Sequence, residues 1–121
     1  MWQYSDIVMD HFRSPRNVGT LEAPALIGIG NMDGGPPSVE IYLRVQGDVV
    51  SEAKFKSFGC GATIAAASML TEMVLNRPLA VCLSIGQADL VQSLGGLPPE
   101  KTHCADVAIA ALRNAIAAGV V

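Results

Sequence analysis

The hydrophobic positions of this chain switch between two periods, and the switches mark its elements. Tyr4, Ile7, Val8, His11 and Phe12 fall on one helical face, with Ser5 placed to cap the helix and Asp6 to complement its dipole. Pro15 ends that helix. The apolar patch from Ala25 to Ile29 predicts a short strand, and Gly28, Gly30, Gly34, Gly35, Pro36 and Pro37 predict an irregular loop around its end. Val39, Ile41, Leu43 and Val45 then alternate with Ser38, Glu40, Tyr42 and Arg44, the period of a half-buried strand. Gln46-Gly47-Asp48 turns the chain back. Val49 to Phe58 is the return strand, with Ala53, Phe55 and Ser57 on one face and Glu52, Lys54 and Lys56 on the other, so the two strands make a hairpin.

From Ala62 the period becomes helical and runs until Pro78, which disfavours helix at Arg77. This stretch carries no charge before Glu72, so most of its surface is expected to be buried. Leu79 to Ile85 and Ala88 to Leu94 predict two short helices separated near Gly86, the second closed by Gly95-Gly96. An alanine-rich helix is expected over roughly 102–118, with Val107, Ala108, Ala111, Leu112, Ala115 and Ile116 as its apolar stripe. Strands first and helices afterwards, with no repeat and no linker composition, predict one α+β domain over residues 1–121 whose antiparallel sheet is covered by helices.

Composition narrows the function classes. At 121 residues, 50% of them hydrophobic, the chain can bury a core without disulfides. A net charge of -3 and a pI near 5.2 give no basic patch, which argues against nucleic acid as a partner; Lys54 and Lys56 make only a local pair on a solvated strand face. No apolar run approaches the roughly 20 residues of a membrane span, and the first residues lack a basic-then-apolar signal. A cytoplasmic location is the expectation, with no membrane partner. Three cysteines cannot all pair within the chain, and in a reducing compartment free thiols serve ligation, chemistry or packing.

Two of these thiols share a setting. Phe58-Gly59-Cys60-Gly61-Ala62 places Cys60 where a strand-like run gives way to a helix-like one. Pro98-Pro99-Glu100-Lys101-Thr102-His103-Cys104 places Cys104 at the head of the last helix. A thiol at a helix start meets free N–H groups and the positive end of the dipole, which favours the metal-binding thiolate. Two such thiols and the adjacent His103 imidazole point to a metal or sulfur site. Each has a plainer reading: Cys60 as a small buried hydrophobe, His103 as a cap or a solvent-facing side chain, Lys101 as a surface charge. Cys82, among Val81, Leu83 and Ile85, is read as packing, and His11 as structural. Leu97-Pro98-Pro99-Glu100-Lys101 is read as a stiff, exposed, polyproline-type segment, cheap in entropy to bind, or as a rigid linker that positions Cys104.

Taken together, Met1-Trp2-x-Tyr4-Ser5, His11-Phe12, Pro15-x-Asn17-x-Gly19, Phe55-Lys56-x-Phe58-Gly59-Cys60-Gly61, Thr71-Glu72-Met73 and Leu97-Pro98-Pro99-Glu100-Lys101-x-His103-Cys104 resemble the scaffold domain of the NifU and IscU family. The resemblance extends from Met1 to about Ala118. It implies a SufE/NifU-like fold with a three-stranded sheet and helices on one side. It implies a protein on which iron-sulfur clusters, 2Fe-2S and labile, are assembled from iron and from sulfur delivered by a cysteine desulfurase, then passed to apo-protein clients. It also implies that the loop Leu97 to Lys101 is read by an Hsp70-type chaperone system.

One part of the family pattern is missing. The family's first ligand cysteine lies in a short Cys-Gly-Asp motif before the strand, and ungapped alignment puts Gly35-Pro36-Pro37 there. A gapped alternative places Ser38 and Glu40 at those positions; neither supplies a thiolate. Iron-sulfur clusters are usually held by four thiolates, with histidine as the recognised substitute, and this chain offers Cys60, Cys104 and His103. The expectation is therefore a non-enzymatic scaffold with an incomplete set: Cys60 and Cys104 as thiolate ligands or persulfide acceptors, His103 as third metal ligand, Lys101 as a charge neighbour. A homodimer giving two thiolates from each chain would complete it. The alternatives are a degenerate regulator or sulfur acceptor of the desulfurase that holds no cluster, and a zinc-bound structural module with three protein ligands.

Overall fold

The computed structural model describes residues 4–119, so Met1 and Trp2 of the motif above lie outside the described residues. The elements run α1 (Asp6–Arg13), β1 (Leu26–Met32), β2 (Gly35–Gln46), β3 (Val49–Phe58), α2 (Gly61–Val74), α3 (Leu79–Leu83), α4 (Gln87–Ser93), a 3-10 turn (Pro99–Lys101) and α5 (Thr102–Ala118). The strands form one antiparallel sheet in the order β1-β2-β3. This is the expected α+β architecture.

The alternation along β2 and β3 decides which face is covered. Val39, Ile41 and Leu43 are buried, as are Ala53 and Phe55, and the register sets Ile41 opposite Phe55 and Leu43 opposite Ala53. Glu52 and Lys56 face water, and Lys54 is half-buried. Helix α5 lies over β1 and β2, α2 over β3, and α1 packs on α2. Both large helices are rich in alanine at their buried positions, Ala62, Ala65 and Ala66 in α2 and Ala105, Ala108 and Ala111 in α5. Short side chains at a helix contact shorten the interaxial distance, which brings the starts of α2 and α5 together.

The glycines of the first strand have a different role from the one their composition predicts. Instead of an irregular loop from Gly28 to Pro37, β1 continues to Met32, the chain turns at Asp33-Gly34, and β2 begins at Gly35. Asp33 and Gly34 both have positive φ, at 52° and 79°, the conformation that a two-residue hairpin turn requires. Gly28 and Gly30 are buried under α5. A Cβ at Gly28 would stand 2.1 Å from the Ala115 nitrogen, and one at Gly30 2.2 Å from the Val107 oxygen. These residues are glycine because a helix backbone rests on them.

Helix α2 stops at Val74 rather than at Pro78, because the segment after it pairs with β3. Asn76 takes φ 65°, its N–H donates to the Val50 carbonyl at 2.8 Å, and the Val50 N–H donates to Arg77 at 3.0 Å. Farther along β3, Phe55 donates to Asn17 at 2.9 Å and accepts from Gly19 at 2.8 Å. The outer strand thus has much of its exposed edge covered by the segments following α1 and α2. Ser5 caps α1 as expected, accepting from the Val8 N–H at 3.0 Å, and its hydroxyl donates to the Leu94 carbonyl. His11 is buried; Nδ1 lies 2.7 Å from Ser68 Oγ and Nε2 3.3 Å from Glu72. The helix expected over 79–85 is realised as the shorter α3, and the one expected over 88–94 as α4 of the same length, one residue earlier.

Candidate functional site

Three elements converge at one end of the sheet: the exit of β3, the start of α2 and the start of α5. Cys60 is the residue before α2, in extended backbone, with its carbonyl accepting from the Thr63 and Ile64 N–H groups at 3.0 and 3.3 Å. Its side chain is exposed, while Cys104 in the first turn of α5 is fully buried. The sulfurs stand 4.0 Å apart although 44 positions separate them in the chain. The flanking glycines are spatial requirements. Gly59 has φ 158° and a Cβ there would meet Thr63 Oγ1 at 2.9 Å, and one at Gly61 would meet the Phe12 ring at 2.9 Å.

Thr63 ties the two thiols together, and its sequence position alone did not single it out. Fully buried, it donates its hydroxyl to Cys104 Sγ at 3.4 Å, and the same oxygen is 3.8 Å from Cys60 Sγ. The signal was its place three residues after Cys60, where a first-turn side chain meets the residue before the helix. Lys101 Nζ approaches Cys60 Sγ at 3.6 Å. His103 Nε2 lies 3.7 Å from Cys104 Sγ. Tyr4, read from the sequence as part of an apolar face and of the family motif but not as a site residue, is also near: burial raises its phenol pKa, and the charge of Cys60 raises it further.

The thiols differ in acidity. Burial pushes Cys60 up, but the main-chain N–H groups of Thr63 and Ala62, the Thr63 hydroxyl and the Lys101 ammonium outweigh it and bring the thiol down to about 7. Cys104 moves the other way: burial raises it and a thiolate on Cys60 raises it further, with the Thr63 hydroxyl opposing. The pair therefore gives up its first proton from the exposed sulfur. Such a thiolate is nucleophilic near neutral pH.

The remaining expected residues fall into place unevenly. Contacts run from Cys60 to Cys104 to His103, but among the described residues no three His, Cys, Asp or Glu side chains form a group that could hold a metal ion. Gly35 faces open space, and Pro37 lies against Gly59, 3.1 Å from where a Cβ there would be; neither brings a donor. Cys82 is buried, 3.8 Å from the Val74 carbonyl, with its thiol pushed up by burial, as a packing residue would be. The segment Leu97 to Lys101 is less exposed than its prolines predict. Pro98 is buried, Leu97 packs on the core, and within the segment only Pro99 and Glu100 are exposed. With Tyr4, Ser5, Gly95 and Gly96, the residues from Leu97 to Glu100 line a cleft of about 600 Å³. No described helix is long and apolar enough to cross a membrane.

Known proteins share this arrangement of elements and sequence. The profile of the NifU-like N-terminal domain matches residues 3–118. The iron-sulfur cluster assembly scaffold protein IscU of Aquifex aeolicus is 42% identical over 117 residues, 95% of this chain and 74% of that protein. IscU 1 of Archaeoglobus fulgidus is 43% identical over 114 residues, covering 93% and 74%. In three dimensions, a protein from Fervidobacterium islandicum described as a candidate scaffold for the SUF system superposes with a TM-score of 0.74 over 91% of this chain and 93% of its own, at 16% identity. With the profile spanning nearly the whole chain and two relatives above 40% identity, this protein belongs to the NifU-like N-terminal domain family.

Proposed function

We propose that this chain is an iron-sulfur cluster assembly scaffold whose site has been reduced to the pair Cys60 and Cys104, with Lys101 as the balancing cation and His103, which has to turn toward the pair to donate, as a third donor. The observation that carries the reading is the convergence of two helix-start thiols at 4.0 Å from distant parts of the chain. The kinship with IscU proteins supports it. The cluster is cargo, assembled and handed on, and the protein binds rather than catalyses. Two thiolates are half the usual complement, so a second copy or a client completes the shell. A cysteine desulfurase supplies sulfur to Cys60, and exposed Phe12 and Phe58, at 43% and 54% accessibility, give that partner apolar surface beside the thiol. The cleft beside Leu97 to Lys101 is the place for an Hsp70-type chaperone, and a reducing cytoplasm is the compartment in which both thiols stay free.

The absence of a donor at Gly35 and Pro37 favours a second reading, in which the protein accepts sulfur from the desulfurase and regulates it while holding no cluster. Anaerobic reconstitution with iron and sulfide, read as iron and sulfide per chain together with the oligomeric state, separates the two. The expected result is sub-stoichiometric or dimer-bound cluster in wild type and several-fold more in Gly35→Cys with Pro37→Asp. A fully loaded monomer in wild type would overturn the reduced-site reading. No loading in either protein, with desulfurase binding intact, would replace the scaffold by the regulator. Tight zinc in place of iron would favour the structural module.

A further inference from the structure

We propose that Cys104 resolves a persulfide carried on Cys60, releasing hydrosulfide and leaving a Cys60–Cys104 disulfide. The inference rests on the reading of Cys60 as a sulfur acceptor and adds a chemical step to it. Cys60 is the accessible thiol, so sulfane sulfur arriving from a persulfide donor attaches there and extends toward solvent. Cys104, fully buried, faces Cys60 Sγ from the protein side at 4.0 Å. It therefore meets the inner sulfur of the persulfide and not the outer one. A disulfide needs the two sulfurs at about 2.05 Å, a closure of about 2 Å shared between two side chains that are already neighbours.

The step balances without an external oxidant. The Cys104 sulfur attacks Cys60 Sγ, the Cys104–Cys60 bond forms, and the bond from Cys60 Sγ to the sulfane sulfur breaks. The sulfane sulfur leaves with the bonding pair as hydrosulfide, going from the −1 to the −2 oxidation state, while the Cys104 sulfur goes from −2 to −1 and Cys60 Sγ stays at −1. The thiol proton of Cys104 passes to His103 Nε2, 3.7 Å away. Lys101 Nζ, 3.6 Å from Cys60 Sγ, neutralises the departing anion. Thr63 Oγ1, within 3.4 Å of one sulfur and 3.8 Å of the other, holds the pair in register. A thiol reductant restores the dithiol for another round. With no third cysteine in the Gly35 to Pro37 segment, no other thiol of the site competes for the persulfide.

The test uses the full chain, anaerobic and free of iron, mixed with glutathione persulfide in a single turnover. Wild type is expected to release one hydrosulfide per intramolecular Cys60–Cys104 disulfide, quantified by sulfide trapping and non-reducing peptide mapping. Cys104→Ser is expected to keep its persulfide on Cys60 and to release at least tenfold less sulfide; Cys82→Ala is expected to match wild type. Persulfide that persists on wild-type Cys60 without sulfide or disulfide would overturn the resolving step and leave the acceptor reading standing. No persulfide on Cys60 in Cys104→Ser, and no sulfide from wild type, would overturn the acceptor reading itself. Disulfides formed only between chains would also overturn the proposal. Because the one-to-one stoichiometry is read in wild type, the result does not depend on how well Cys104→Ser folds.

Discussion

Thr63 donates its hydroxyl to Cys104 at 3.4 Å across the seam between α2 and α5, and this contact couples two helix starts that have no backbone connection near them. The hydroxyl is fully buried, so its hydrogen bond is made to a sulfur in a place without competing water, where a lost partner costs most. Acidity at Cys60 and packing at Cys104 thus depend on one side chain.

The first prediction is that Thr63→Val and Lys101→Gln each raise the Cys60 pKa from about 7. Both groups stabilise the thiolate, so removing either shifts the equilibrium toward the neutral thiol. In wild type, alkylation of Cys60 should climb through neutral pH and level off above it as the thiolate fraction saturates. In the variants the same climb should occur at higher pH, with a few-fold lower rate at pH 7. Iodoacetamide labelling followed by mass spectrometry checks this. An unchanged profile in both variants would mean that the helix start alone sets the acidity.

The second prediction concerns the face of β1 under α5. Gly28→Ala places a methyl where the Ala115 backbone already stands, at 2.1 Å, and neither a strand nor a helix backbone can yield that distance locally. The expected cost is at least about 3 kcal/mol, as for severe overpacking of a core. Gly35→Ala, facing open space, should stay within about 0.5 kcal/mol of wild type. Urea denaturation of the two variants decides it. Equal midpoints would show that α5 does not rest on β1 as described.

The third prediction is an acid-side loss of stability carried by His11. Burial lowers its pKa, the Arg16 guanidinium lowers it further, and Glu72 and Asp10 oppose them without reversing the direction. The unfolded chain, with His11 near 6.5, then binds more protons than the folded one. Stability should therefore be complete above about pH 6.5 and fall progressively as the pH drops below that value toward the folded pKa. His11→Gln, which keeps a hydrogen-bonding side chain without the titration, should flatten this slope between pH 7 and 5. The measurement is the urea midpoint across that range for both proteins. A wild-type midpoint that rises on acidification would contradict the assigned direction.

The sequence by itself determined the elements with strong local signals. Alternation fixed β2 and β3, because a half-buried strand must place apolar residues at every second position, and the alanine-rich stripe fixed α5 at 102–118. The helix-start settings of Cys60 and Cys104 were legible too, since breakers and a change of period mark where N–H groups are left free. Tertiary structure decided the rest. Gly28 and Gly30 read as loop residues until α5 lies on them; Asn76 leaves the helical pattern because Val50 offers its peptide a partner; Pro98 reads as exposed until its loop packs down. Thr63 became a site residue only when α5 brought Cys104 beside it. In each case the deciding contact comes from a segment distant in the chain. Local propensity cannot register a neighbour that exists only after the core has closed.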